Sequence, residues 1–310
     1  MARKASTMLL GPLEGLARVV LRRLHGVPGF TERAADIQIK RLPAKQEKIH
    51  ERHGFDPDAA KDLGQIVDLL RQQRGGRSMC NIIGSGPSVL TALEEPVDPG
   101  VAYFTCNFGG LLPLPYDLYL LEVGSHDARR AEVSELQRKT IESLPERPRL
   151  ILIKNIWESK LDGEYVTSVY PDALVCLDAL FPFAGRLLES ASYRFVFEKC
   201  FWSDTRALLQ LHTSVLTLIQ LAYRAGYTQI RVFGLDGAGP HFFHDTRIKA
   251  MVPVALEVAD FVQVLGKDEK HEAGYSGRLL AKKMHQFLLD EAINLDLVGL
   301  ASQGPSDALR

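Results

Sequence analysis

The chain has 310 residues, with 37 Lys and Arg against 38 Asp and Glu and a formal net charge of −1. With 46% hydrophobic and 24% charged residues it has a globular composition, which excludes a disordered chain, collagen and a coiled coil. A near-neutral chain also lacks the strongly basic surface of a general nucleic-acid binder, and its length allows one large α/β domain or two smaller ones.

The charge is uneven along the chain. Residues 1–53 hold eleven Lys and Arg against five Asp and Glu, a net +6, and the remainder nets −7. Within this segment Leu9, Leu13, Leu16, Val20 and Leu24 recur at helical spacing beside Arg18, Arg22 and Arg23. That pattern predicts a basic amphipathic helix, suited either to an anionic membrane surface or to packing on its own domain with a solvated basic face. Pro12, Glu14 and the arginines interrupt the apolar run, so it reads poorly as a secretory signal. No window reaches the roughly 18 uninterrupted apolar residues of a membrane span. Asp58–Gln73 reads as a helix ended by Gly75-Gly76. We therefore expect a helical, basic N-terminal region over 1–75.

From Met79 onward, short apolar runs alternate with helical patterns, the mark of βαβ units on a largely parallel sheet. Strands are predicted at Met79–Ile83, Ala102–Cys106, Leu118–Leu121, Leu150–Ile153, Ile230–Phe233 and Leu295–Val298. Helices are predicted at Asp127–Leu144, Ser214–Ala225 and Ser276–Ala292. Between residues 155 and 200 the periodicity degrades into scattered aromatics and prolines, which suggests either a lid-like segment over the site or a helical region with a blurred pattern. The expectation is an α/β domain over 76–310 with a Rossmann-like, mostly parallel sheet. Cys80, Cys106, Cys176 and Cys200 lie in apolar runs without CxxC spacing. They read as buried free thiols of a cytoplasmic protein rather than zinc ligands.

Four motifs stand where chemistry is placed in such folds. Ile82-Ile83-Gly84-Ser85-Gly86-Pro87-Ser88 follows a strand and opens a helix, a setting for phosphate or nucleotide at a strand's carboxyl end. It is neither GxGxxG nor a Walker loop. Asn107 closes the next strand, where an amide that donates and accepts suits a base or ribose, or caps the strand end. Thr213 and Ser214 open the helix that runs to Ala225, and either hydroxyl suits a helix cap or a ligand. Asp236 ends the strand of Arg231-Val232-Phe233-Gly234-Leu235-Asp236, and His241, His244 and Asp245 follow. No second carboxylate makes a DxD motif, so no metal site is expected. His271, in a loop before the last predicted helix, is a candidate base.

In order and spacing these segments resemble the bacterial family 42 sialyltransferases and the related flagellin-modifying Maf-type glycosyltransferases. The resemblance rests on CNIIGSGPSV, YFTCNFGG, YDLYLLEVGS, HTSVLTLIQLAYRAGYTQIRVFGLDG and LDLVGL. It covers roughly 79–125 and 212–300. It implies a GT-A-like variant of the nucleotide-binding α/β fold with a lid, and a CMP-activated nonulosonic acid as donor, with no metal or other cofactor. It places Gly84, Ser85, Gly86, Ser88, Asn107, Thr213, Ser214 and Asp236 at the donor. The chain departs from the family pattern in several places, and His271, the nearest match to the family's catalytic His, stands several residues out of register with it. Ser85 stands where the family has Asn, and Phe108 where it has Gln. Histidines and phenylalanines stand where it has phosphate-contacting tyrosines. His271 would serve as general base, with His241 and His244 on the phosphate side.

The function so implied is metal-independent transfer of sialic acid or a related sugar to a cell-surface glycan or lipooligosaccharide. The protein would be cytoplasmic, held by its basic helix at the inner face of the membrane, with a homo-oligomer left open. Two alternatives stand beside it: a non-catalytic nucleotide-sugar-binding relative, and ATP- and Mg²⁺-dependent pyrophosphoryl transfer on the same fold.

Overall fold

The computed structural model describes residues 60–122, 128–154, 168–176, 214–236, 241–264 and 293–298. Eight strands form one sheet: β1 (Ala60–Lys61), β2 (Met79–Ile83), β3 (Val101–Cys106), β4 (Leu118–Leu121), β5 (Ile151–Lys154), β6 (Leu174–Cys176), β7 (Gln229–Phe233) and β8 (Asn294–Leu297). Their order is β1-β6-β5-β4-β3-β2-β7-β8, and every neighbouring pair is parallel. The six described helices are α1 (Leu63–Arg74), α2 (Val89–Ala92), α3 (Ala128–Glu142), α4 (Ser214–Arg224), α5 (Thr246–Met251) and α6 (Val254–Val264).

Parallel strands need helical crossovers, which cover both faces of the sheet and leave the strands apolar throughout. That is why β3 is buried at every position and alternates between two cores. Ala102, Phe104 and Cys106 pack with α1 and α4, whereas Val101 and Tyr103 pack on the side of α2, α3, α5 and α6. In α4, Ser214 through Ala222 are all buried, as expected of a helix that is apolar on nearly every side. Gly226, at φ +88°, stops the chain just beyond it.

All six predicted strands are present, each within one residue of its expected bounds. Two short strands escaped the sequence reading. β6 lies inside the segment read as a lid, and there Leu174–Cys176 pair with β5 and β1. The Tyr170 hydroxyl donates to the Ser134 carbonyl on α3, tying this stretch down. The remainder of 155–200 lies outside the described residues, as do the basic N-terminal helix and the helix over Ser276–Ala292.

The helix predicted from Asp58 starts later. Ala60 and Lys61 pair with β6, and Asp62 caps α1 through a reciprocal pair of bonds. Its carboxylate accepts from the Gln65 N–H at 2.9 Å, and its own N–H donates to the Gln65 side chain at 3.0 Å. Leu63, Ile66, Val67 and Leu70 then enter the same core as α4.

At the amino end of the sheet, Asp117 is buried and accepts from both Arg77 terminal nitrogens at 2.8 and 2.9 Å and from the Tyr103 N–H at 3.1 Å. Arg149 approaches the same carboxylate at 3.3 Å. This ion pair fastens the approach to β2 onto β3 and β4. It lies at the opposite end of the strands from the predicted motifs.

Candidate functional site

The sheet has a switch point. From β2 the chain steps outward through β3, β4, β5 and β6 on one side, and β7 then returns to the other side of β2. Loops leaving the carboxyl ends of β2 and β7 diverge there, and such a crevice is where open α/β sheets take ligands. The Gly84-Ser85-Gly86 turn leaves β2 and Gly234-Leu235-Asp236 leaves β7, so two of the four motifs share this point.

The two loops are locked together. The Gly84 N–H donates to the Phe233 carbonyl at 2.8 Å and the Gly86 N–H to the Gly234 carbonyl at 3.0 Å. Asp236 Oδ2 accepts from the Ser88 N–H at 3.1 Å and from the Ser88 hydroxyl at 2.9 Å. That hydroxyl in turn accepts from the Gly234 N–H at 2.7 Å. A β-carbon at Gly86 would stand 2.2 Å from Asp236 Oδ2, so only glycine lets the carboxylate come this close. Burial raises the Asp236 pKa above the ordinary carboxylate value, against the opposing pull of the Ser88 donors. Ser88 and Asp236 thus hold each other. Ser88 precedes α2, and that helix is only four residues long, too short for a helix-dipole anion site.

The third motif joins on the other side. Asn107 has φ +48°, and it opens a 3₁₀ turn over Asn107–Leu111. The Tyr119 hydroxyl donates to its carbonyl. Its side-chain Oδ1 accepts from the Glu122 N–H and from Gln137 Nε2, both at 3.2 Å. The fourth motif arrives with α4. Ser214 is buried, and its hydroxyl donates to the Glu122 carboxylate. The next residue, Val215, lies against the turn: its Cγ2 would be 3.0 Å from a β-carbon at Gly84.

The loop after Asp236 returns onto the same turn. The Phe242 N–H donates to the Ser85 carbonyl at 3.1 Å, and His241 Nδ1 lies 3.3 Å from that oxygen. A carbonyl only accepts, so His241 Nδ1 carries the proton. The His241 ring stacks on Phe243 with centroids 4.8 Å apart, and Phe243 meets Phe108 edge-on at 6.4 Å. The His244 and Phe243 ring centroids are 5.1 Å apart.

The structure therefore gathers Gly84, Ser85, Gly86, Ser88, Asn107, Ser214, Asp236 and His241 around one crevice, with His244 beside them. Thr213 and His271 lie outside the described residues. Among the described residues no group of three or more His, Cys, Asp or Glu side chains is placed to hold a metal ion, and no helix is long and apolar enough to cross a membrane. Cys80 and Cys106 are buried free thiols, and burial pushes the Cys80 thiol well up. Two site residues went unrecognised in the sequence. Glu122 directly follows β4, which pairs with β3 just before Asn107, and Gln137 comes from α3. Only strand register and helix phase reveal them.

No described residue accepts a hydrogen bond from the Ser85 N–H, the Ser85 hydroxyl or Asn107 Nδ2. These donors line the carboxyl edge of β2 and β3, and they suit a ligand rich in acceptor oxygens.

No protein-family model matches the sequence, and no curated protein matches it. Solved structures to which the chain is similar include the sialyltransferase CstII from Campylobacter jejuni in complex with the substrate analogue CMP-3FNeuAc. That match has 16% identity and a TM-score of 0.37, over 71% of this chain and 81% of that one. The monofunctional α-2,3-sialyltransferase Cst-I from Campylobacter jejuni matches at 16% identity and a TM-score of 0.38, over 72% of this chain and 76% of that one. The architecture of the present chain rests on its own sheet and crossovers.

Proposed function

We propose that the chain is a glycosyltransferase that binds a nucleotide-activated sugar at the switch point between β2 and β7. The observation that carries this reading is the set of donors at Ser85 and Asn107 that no described residue engages, beside the Ser88–Asp236 lock. Phosphate, ribose and pyrimidine oxygens are acceptors, and backbone and amide N–H groups at a strand's carboxyl edge bind them without a metal. The motif order supports a CMP-activated sialic acid or related nonulosonic acid as donor. A glycan or glycolipid is then the acceptor.

Transfer requires a base for the acceptor hydroxyl, stabilisation of the departing CMP phosphate, and exclusion of water. In this proposal the acceptor oxygen attacks the anomeric carbon while the glycosidic bond to the CMP phosphate oxygen breaks. The acceptor proton passes to His271. The phosphate leaves with its charge met by His241 and His244. His241 would do this as an imidazolium, whose Nδ1–H the Ser85 carbonyl accepts, setting the ring against the Gly-rich turn.

The test is thermal shift of the full chain with CMP, CDP, UDP, GDP, ATP and NAD, each with and without Mg²⁺. A ligand at about 100 times its Kd stabilises by roughly 2.7 kcal/mol. Stabilisation by CMP without Mg²⁺ is the expected result, and turnover of CMP-sugar should then fall in the H241A/H244A double variant. Unchanged turnover in that variant removes the phosphate-side role. Response to ATP with Mg²⁺ alone replaces the reading with pyrophosphoryl transfer.

One observation favours a second reading, nucleotide-sugar binding without transfer. Ser88 and Asp236 are engaged with each other and leave fewer polar groups for chemistry. Under that reading CMP binds but no CMP-sugar is consumed.

A further inference from the structure

Gln137 sits on α3 at 1% exposure, in line with Ser134 and Thr140, which are equally buried. A buried amide in a helix facing the core is costly unless its polar atoms are partnered. Gln137 has one partner, Asn107 Oδ1, and its own Oε1 meets none.

The orientation of the pair follows from donor and acceptor chemistry. The Glu122 group facing Asn107 is a backbone N–H, which only donates. The Asn107 atom beside it is therefore the side-chain oxygen. The Gln137 atom facing that same oxygen must then be its NH₂. With both donors on Oδ1, the Asn107 NH₂ is turned away from Glu122 and Gln137.

The backbone of Asn107 is held as firmly as its side chain. Its left-handed φ is fixed by the Tyr119 hydroxyl on its carbonyl, and a β-carbon at the neighbouring Gly110 would strike the Tyr119 ring at 2.2 Å. Asn is among the residues that tolerate this conformation best.

We infer that Gln137 is a positioning residue: it holds the Asn107 carboxamide with its oxygen inward, so that the Nδ2 protons meet an acceptor atom of the ligand. An Asn without this restraint offers either end, and hence binds donors and acceptors alike. Here the site selects acceptors, such as a pyrimidine carbonyl or a ribose or phosphate oxygen. For the identity of that ligand the inference rests on the nucleotide-sugar reading. For the orientation of Asn107 it does not.

The test uses the full chain, CMP as the probe in calorimetric titration, and hydrogen exchange of the Glu122 amide as a readout that needs no ligand. In Q137E the ionised carboxylate only accepts and draws the Asn107 NH₂ inward, so both measurements are made at a pH well above the raised range of a buried carboxyl. CMP affinity should fall about tenfold, and the Glu122 amide, losing its acceptor, should exchange about tenfold faster. Q137M keeps the volume and removes the donor, and CMP should bind about three- to fivefold more weakly. N107D keeps both bonds to the inward oxygen and lacks the outward protons. It should bind CMP about tenfold more weakly with Glu122 exchange unchanged. Adding Q137M to N107D should then cost little further affinity, whereas a purely structural Gln137 would add its full loss.

Unchanged CMP affinity and unchanged Glu122 exchange in both Gln137 variants would overturn the inference. Should Q137E fail to fold, Q137M decides it by the same two readouts. Should the parent chain bind no CMP, the nucleotide reading falls, and Glu122 exchange in the Gln137 variants alone sustains or overturns the positioning role.

Discussion

Asp236 combines a buried carboxylate with a raised pKa. A carboxylate whose folded pKa lies above its unfolded value binds its proton more tightly in the folded state. Its contribution to stability is therefore greatest below the ordinary carboxylate value and is lost as pH rises through the raised one. D236N keeps an oxygen for both Ser88 donors without the charge. It should match the parent chain in urea unfolding near pH 4 and exceed it near pH 7. A parent chain that stays level with D236N across that range would show that desolvation does not govern this carboxyl. G86A should act in the opposite direction, because a β-carbon 2.2 Å from Asp236 Oδ2 breaks the lock. A loss of about 1–3 kcal/mol in the same assay is expected, with most of it absent in the G86A/D236A pair. At this scale the sequence was partly legible. Gly84, Ser85 and Gly86 announce themselves by spacing after an apolar run. The mutual engagement of Ser88 and Asp236 does not, because it joins residues 148 positions apart.

At the scale of elements, the clearest dependence is on the Asp117–Arg77 pair. Removing one member of a buried ion pair leaves the other charged and unpartnered. D117A should therefore cost about 3–5 kcal/mol in denaturant unfolding, while CMP-induced stabilisation at the far end of the sheet persists. A loss below about 1 kcal/mol would mean that water reaches Arg77 once the carboxylate is gone. D62A should remove the α1 cap at about 1 kcal/mol, read the same way. The Asp62-x-x-Gln65 signal is present in the sequence, but the helical pattern runs back to Asp58. Two residues of pairing with β6 override helical propensity there. α3 shows the converse limit. It reads as polar on every side, so nothing in its pattern marks Ser134, Gln137 and Thr140 as the inward row. That row appears only once α3 lies against the Asn107 turn and α6.

At the scale of the whole molecule, hydrophobic runs were enough to place six strands, because parallel strands buried on both faces are written as uninterrupted apolar segments. β1 and β6 were too short to stand out from their surroundings. Strand order was not legible at all, since periodicity says nothing about which strand lies beside which. It is strand order, with β2 between β3 and β7, that turns scattered motifs into one crevice.

The same order sets a sequence of events during synthesis. β2 through β6 emerge early and pair in succession, each with a neighbour close in the chain. The other edge of β2 must wait for β7, and the Gly-rich turn has no partner until Gly234 and Asp236 arrive. Until then an apolar central strand presents an open hydrogen-bonding edge, the kind of surface that nascent chains lose to aggregation. Maturation of the crevice should accordingly trail that of the β3–β6 half. Chains truncated before β7 should be recovered with chaperones rather than as free protein.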